Sequence, residues 1–388
     1  MSNEKSLRNR KILKILPVLP GKKCRFCREC RAVRGGPFFH LPVSAAAYGF
    51  SSRLYLEWGR GIGSRAADSG AAAVKRKVGM MNRREWLKSG LMAAAPVLGS
   101  AVAAADAQKS GAKTALTLWQ LPNQSSTQME SYLLLTDSDQ LVVIDGGMKH
   151  DADYLLKKIR EIHPDGRVDY WLFTHIHLDH VHAMVTILNR YPDVLKIGQI
   201  YCDFPPLEWI QRVEPDSVGV STEVFETLGK LPNVAKMPKG EPLRLGSVEI
   251  TALNDLDDLD LERPGTVIND TSILYRVKTP GTTLLFLGDL EPRGQEALVG
   301  KLPPEAFKAD VVQMAHHGQN GVTRDFYDLV RPTACLWCAP DWLWDNNPPG
   351  QGSDTGPWKT VQTRAWMNEM GVRKHYIIKD GLIRLEFD

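Results

Sequence analysis

The sequence predicts an α/β fold that carries its chemistry at strand ends, and three stretches support that expectation. The apolar run Val168 to Phe173 reads as a buried strand and leads directly into Thr174-His175-Ile176-His177-Leu178-Asp179-His180. The apolar strand Thr283 to Leu287 runs into Gly288-Asp289, and Asp310 to Ala315 runs into His316-His317-Gly318. Open α/β sheets place ligands and catalytic groups beyond the carboxyl ends of their strands. Each of the three stretches is such an end.

Three histidines and an aspartate within six residues make a metal-site pattern. His175 and His177, two apart, can converge on one ion, while Asp179 and His180 point to a second. Neutral imidazole and carboxylate suit zinc, manganese and iron, and a pair of such ions can share one attacking water. A solvated His-rich turn is the plainer alternative, and the strand-end Asp and His residues downstream weigh against it.

The set His-x-His-x-Asp-His, then Gly-Asp, then His-His-Gly resembles the metallo-β-lactamase superfamily over about Leu116 to Asp388. That resemblance implies a four-layer αββα sandwich with two metals at the sheet edges. It implies metal ligands His175, His177, Asp179, His180, Asp289 and His317, with Asp179 and His316 in catalytic roles. Adjacent side chains on an extended segment point opposite ways, so His317 is expected to be the ligand and His316 to face the substrate. Most superfamily members place a third histidine on the first metal, and this chain has no histidine between His182 and His316. Asn269, Asp270 or solvent would take that place. The pattern resembles the branch with the hydrolase domain of the bacterial DNA-uptake channel and some choline-phosphate esterases. Two divalent ions are implied, with Zn2+ favoured and Mn2+ a competitor because nitrogen donors are few.

In chain order, Leu116 to Leu121, Ser131 to Thr136 and Leu141 to Ile144 read as short strands, the last two joined by Asp137-Ser138-Asp139. In the family the turn Asp145-Gly146-Gly147 approaches the metal loop from behind, so Asp145 is expected to hold that loop rather than bind metal. A helix is expected from about Asp151 to Ile162, with His150 and His163 in solvated loops at its ends. After the metal loop a helical pattern runs from His182 to Arg190, and His182 is expected as a satisfied histidine in its first turn. A strand at Ile197 to Cys202 precedes the Pro- and aromatic-rich stretch Asp203 to Trp209, read as a rim loop. A helix near Ser221 to Leu231 and a solvated acidic run, Asp255 to Glu262, follow.

The second half repeats this logic, with strands at Ser247 to Leu253, Thr271 to Lys278 and Thr283 to Leu287, and a helix after Pro292. Beyond His316 come a helix near Asp325 to Val330, the strand Thr333 to Trp337, a helix from Trp358 to Met370, and strands at Tyr376 to Lys379 and Leu382 to Phe387. Ala339 to Pro357, with Trp342 and Trp344, is too irregular for an element; a pocket wall and a plain surface loop are equal alternatives for it, and Trp209 is a further candidate rim residue.

The chain has 388 residues, is 43% hydrophobic and carries a formal charge of +3. Charge is divided unevenly: residues 1–105 hold 20 Lys/Arg against 5 Asp/Glu, leaving 28 against 40 in residues 106–388. A body at −12 disfavours nucleic acid, whose binding relies on neutralising phosphates. Met81-Asn82-Arg83-Arg84 precedes the Ala-rich apolar segment Leu91 to Val102 and small residues, which looks like a twin-arginine signal peptide. Three regions are expected: 1–80, a non-native or disordered extension; 81–107, the signal; and 112–388, the hydrolase domain. Cys24, Cys27 and Cys30 lack a fourth partner, while Cys202, Cys335 and Cys338 read as buried apolar fillers.

The function expected is a hydrolase with two divalent ions, periplasmic or otherwise exported, acting on a small-molecule phosphoester through a metal-bridging water. Its partners would be the substrate and the twin-arginine export machinery, with no membrane span after processing. A catalytically silent metal-binding protein, a nuclease or another ester hydrolase are the rivals, because a fold alone does not choose among them.

Overall fold

A computed structural model describes residues 114–348 and 351–388. The expected extension, the signal segment and Cys24, Cys27 and Cys30 lie outside the described residues.

Two seven-stranded sheets form the middle of the molecule. The first contains β1 (Leu116–Gln120), β2 (Ser131–Thr136), β3 (Leu141–Asp145), β4 (Arg167–Leu172), β5 (Lys196–Tyr201) and β6 (Val234–Ala235) in that spatial order. The second contains β7 (Leu243–Leu245), β8 (Val248–Ala252), β9 (Tyr275–Lys278), β10 (Thr283–Phe286), β11 (Val311–Gln313), β12 (Ala334–Trp337) and β13 (Lys374–Ile377). The last strand, β14 (Ile383–Phe387), crosses back to the first sheet and pairs antiparallel with β1, Leu116 opposite Phe387. Each sheet opens with antiparallel strands and continues with parallel ones. From β3 onward in the first sheet, and from β10 onward in the second, neighbours run the same way. Parallel strands end together, so the loops after β3, β4, β10, β11 and β12 gather along one edge.

Strand alternation divides the apolar residues between layers. In β2 and β3, Leu133, Leu141 and Val143 pack outward against helices, whereas Leu134, Val142 and Ile144 meet the second sheet. Ile250, Tyr275, Val277, Leu284 and Phe286 face them from the second sheet, with Tyr132 set edge-on to Phe286 at 5.0 Å. The first outer layer holds α1 (Ala152–Ile162), α2 (Leu178–Arg190), α3 (Leu207–Val213) and α4 (Val218–Leu228). The second holds α5 (Pro292–Val299), α6 (Arg324–Val330), α7 (Asp341–Trp344) and α8 (Thr360–Glu369). The architecture is the four-layer αββα sandwich. Among the described residues no helix is long and apolar enough to cross a membrane.

Several local expectations are corrected. Helix α2 starts at Leu178, four residues before the expected His182, so Asp179 and His180 sit on its first turn rather than on a loop. The stretch read as a rim loop runs into α3 from Leu207 onward, and Trp209 is 4% exposed, its indole N–H held by the Leu261 carbonyl at 2.7 Å. Trp342 donates to the Ser126 carbonyl at 2.8 Å and packs on Trp358, and Trp344 packs between Trp337 and Arg364. These tryptophans brace loops. His163 is buried, with Nδ1 against the Arg167 carbonyl at 3.0 Å, instead of solvated. His182 meets Glu223 of α4 at 3.3 Å, and Cys202, Cys335 and Cys338 are unpaired.

Candidate metal centre

The site begins with a turn. Residues Ala315–Gly318 follow β11, and His316 (φ 50°, ψ 54°) and His317 (φ 55°, ψ 15°) both take left-handed backbone conformations. Such conformations cost about 1–3 kcal/mol each for side-chain-bearing residues and persist only where the surroundings hold them. Here the His316 amide donates to the Gly288 carbonyl at 3.0 Å, and His317 Nδ1 donates to the Cys338 carbonyl at 3.1 Å. The segment is thus not the extended one expected from sequence; the turn itself separates the two imidazoles. Gly318 completes it at φ 82°, where a Cβ would lie 2.4 Å from the Trp337 ring. Gly288 plays the same part after β10, since a Cβ there would lie 2.7 Å from Thr174 Cβ. Its absence lets the Gly-Asp turn reach the loop after β4.

Around these turns the strand-end residues converge into two groups that share Asp289. Ligand atoms of Asp179, His180, Asp289 and His317 all lie within 4.8 Å of one another, as do those of His175, His177 and Asp289. In the second group His175 Nε2 is 3.0 Å from His177 Nδ1 and 3.8 Å from Asp289 Oδ2. In the first, His317 Nε2 is 3.1 Å from Asp179 Oδ2 and 3.5 Å from Asp289 Oδ2, and His180 Nε2 is 3.3 Å from Asp289 Oδ1. His316 lies beside both groups, with Nδ1 3.0 Å from Glu291 Oε1 and Nε2 3.8 Å from Asp289 Oδ2.

Each imidazole in the groups is held from behind by an acceptor. Asp145, at the end of β3, accepts the Thr174 amide (2.8 Å), the Thr174 hydroxyl (2.8 Å) and His180 Nδ1 (2.8 Å). His175 Nδ1 donates to the Thr174 hydroxyl oxygen at 3.1 Å, and His177 Nε2 to Glu214 Oε2 at 2.8 Å. A proton fixed on the far nitrogen leaves a lone pair on the near one. The near nitrogens of His175 and His177 then turn toward each other, 3.0 Å apart, a gap that a shared proton fills and that a cation could take over. His180 Nε2 and Asp289 Oδ1 point the same way: both are buried and, although 3.3 Å apart, neither has a hydrogen-bond partner. Buried polar atoms are normally partnered, and an ion shared by these two would supply the missing partner. The residues present fit a pair of divalent cations.

Charge leads to the same conclusion. Among the described residues, Asp145, Asp179, Glu214, Asp289 and Glu291 form ion pairs only with histidines and none with Lys or Arg. Burial works against a charge on His180 and His317, yet Asp289 and neighbouring carboxylates outweigh it, holding His180 well above the usual imidazole range and His317 up at about 10. Burial, reinforced by the charge on His180, pushes His175 well below that range. Asp289 stays well below the ordinary carboxylate range because His317 and His180 overcome its burial. An anionic pocket that pulls protons onto its imidazoles is one that divalent ions can enter in exchange for protons.

Of the candidate third donors, Asp270 is already engaged, its oxygens accepting the Gly294 and Val267 amides at 2.8 and 3.0 Å. Asn269 donates to Glu291 at 2.8 Å, which orients its amide and leaves Oδ1 buried without a partner. Sequence reading missed Glu130, Glu214, Glu291, Gln128 and Gln319. Gln128 donates to Asp179 Oδ2 at 3.0 Å and accepts from Gln319 at 3.2 Å, closing the rim. Glu130 is fully buried against Gln313, and its burial pushes its carboxyl well above the usual range.

A family model described as the metallo-beta-lactamase superfamily matches residues 128–333. The chain belongs to the metallo-beta-lactamase superfamily. A curated protein with detectable similarity is ComE operon protein 3 of Bacillus subtilis (strain 168), 22% identical over 173 residues, which are 44% of this chain and 20% of that protein. The chain thus spans about a fifth of that relative's length. Among solved structures, the metallo-beta-lactamase fold protein YhfI of Bacillus subtilis is similar at 14% identity and TM-score 0.43, covering 70% of this chain and 99% of that one. CmlA, a diiron beta-hydroxylase from Streptomyces venezuelae, is similar at 13% identity and TM-score 0.42, covering 71% of this chain and 55% of that one. Metallo-beta-lactamase superfamily members are generally metal-dependent hydrolases that bind divalent ions, often two, and the two residue groups around Asp289 are this chain's candidates for them.

Proposed function

We propose that this chain is an exported hydrolase with two divalent ions, acting on a small phosphoester. The observation that carries the reading is the pair of donor groups joined at Asp289, with each histidine's far nitrogen capped by an acceptor. His175, His177 and Asp289 would hold one ion, and Asp179, His180, Asp289 and His317 the other. Divalent ions bound there, zinc or manganese, would supply an acidified water at neutral pH and polarise the substrate's oxygen.

The chain's own residues do the rest. Asp145 and Thr174 fix His180 and His175, the Cys338 carbonyl fixes His317, and Gln128 steadies Asp179. His316, 15% exposed and tethered to Glu291, is placed to contact substrate beside Asp289. Because the pocket's own charge is negative, an anionic substrate gains attraction only once ions are present. A small phosphoester is favoured over DNA because residues 106–388 carry 28 Lys/Arg against 40 Asp/Glu, too acidic a surface to gain from counterion release. Export rests on Arg83-Arg84 and the apolar segment after them.

The test is turnover by the purified protein, loaded with zinc or manganese, of small phosphodiesters and phosphomonoesters beside plasmid and oligonucleotide DNA. Hydrolysis of the small esters is expected; efficient DNA cleavage with no small-ester activity overturns the substrate reading. N-terminal sequencing of the exported protein is expected to begin between about Ala104 and Gln108. Recovery of a chain containing Cys24 outside the cytoplasm would refute the export reading.

A further inference from the structure

Glu214 lies where α3 ends and its carboxylate divides its two oxygens between different parts of the site. Oε2 accepts His177 Nε2 at 2.8 Å, while Oε1 accepts the Ile268 amide at 2.9 Å. Its own amide donates to the Ile210 carbonyl at 2.8 Å, so the side chain works from a fixed base at the helix end. The Ser217 hydroxyl gives a further, longer contact to Oε2 at 3.4 Å. Ile268 opens the short turn Ile268–Thr271, whose next residue is Asn269. Asn269 in turn reaches Glu291, the residue that holds His316, and turns its unpartnered buried Oδ1 into the same region.

We propose that Glu214 is a positioning residue that couples the first metal position, through His177, to the turn carrying Asn269 on the substrate side of the site. The inference rests on the metal-centre reading above and assigns a role to a residue outside both donor groups. Its physical basis is that a carboxylate is the one side-chain group of this reach that accepts on both oxygens at once. With a cation at Nδ1, His177 Nε2–H would be a stronger hydrogen-bond donor to Glu214, and the carboxylate would hold the Ile268 amide more firmly.

Glu214→Gln separates the roles. Glutamine has one acceptor oxygen, and if that stays on the Ile268 amide its NH2 group faces His177 Nε2–H, donor against donor. His177 must then move its proton to Nδ1, the atom 3.0 Å from His175 Nε2, and its lone pair leaves the first metal position. Zinc or manganese affinity at that position is expected to fall about 10–100-fold, while the position at Asp179, His180 and His317 keeps its affinity. Dialysis against a weak chelator then leaves about one ion per chain in the variant and two in the parent. In the parent, adding Zn2+ or Mn2+ is expected to slow amide exchange across residues 266–272, and in E214Q to leave it unchanged. Retention of both ions by E214Q at parental affinity overturns the coupling, as does exchange in the parent that ignores metal. The second measurement needs no variant and decides the matter even if E214Q does not fold. A parent that takes up no metal refutes instead the metal-centre reading.

Discussion

Replacing Asp145 with Asn removes one charge and one acceptor from behind the site while keeping its volume. The carboxylate is 0% exposed and accepts three donors, the Thr174 amide, the Thr174 hydroxyl and His180 Nδ1, each at 2.8 Å. An asparagine that keeps its oxygen on the Thr174 amide presents NH2 to the other two. The Thr174 hydroxyl can rotate away, but the Nδ1–H of His180, which is protonated on both nitrogens in the metal-free chain, loses its acceptor. Losing one charge-assisted hydrogen bond and rearranging a second costs about 2–4 kcal/mol in a buried setting. The metal-free D145N chain should therefore unfold at lower urea, with an unchanged slope. Because an Nδ1–H with no acceptor is the proton given up first, His180 would keep its Nε2 proton where a metal would bind, and affinity at the His180 position should also fall about 10–100-fold. Urea unfolding in chelator and competition with a coloured metal indicator read the two effects separately. A D145N chain with parental midpoint and parental metal affinity would refute the claim that Asp145 fixes the tautomer of His180.

Gly318 and Gly371 both have φ 82°, but a Cβ at Gly318 meets the Trp337 ring at 2.4 Å whereas Gly371 has nothing within 4 Å. Gly371→Ala is expected to cost about 1 kcal/mol in urea unfolding and Gly318→Ala more than about 2 kcal/mol, equal costs removing the steric account of the His-His-Gly turn. Metal uptake is expected to release about two protons at pH 7, seen by calorimetry in buffers of different ionisation enthalpy, because ligands bind ions deprotonated. His317 holds its proton up to about 10 against 6.5 in an unfolded chain, so metal affinity rises with pH across that interval. In the metal-free chain the stability this group contributes is complete below pH 6.5 and declines as pH climbs through about 10. Uptake without proton release would contradict the charge state assigned to the pocket.

The strand-end residues were legible because each stretch is local: an apolar run, then ligand-bearing residues, then glycine. What remained hidden came from sequence distance. Glu214 reaches His177 from 37 residues away and Gln128 reaches Asp179 from 51, and nothing near either marks it off from a surface residue. The start of α2 was obscured because Asp179 and His180 are weak helix formers and His177 provides no side-chain cap, so the tertiary site overrides local preference. Trp209 was misplaced because Pro205-Pro206 suggests a loop, whereas Pro206 precedes a seven-residue helix whose Trp209 turns inward. The left-handed His316 and His317 follow from contacts to Gly288 and Cys338 that no short-range pattern encodes.

Metal content tests the central claim most directly, because Asp289 is the one residue in both donor groups and lies 1% exposed between them. Elemental analysis of the purified protein should give two divalent ions per chain. Asp289→Ala should lose both, its fold checked by circular dichroism. Full occupancy in that variant, or a parent chain that binds no divalent ion at all, would contradict the account.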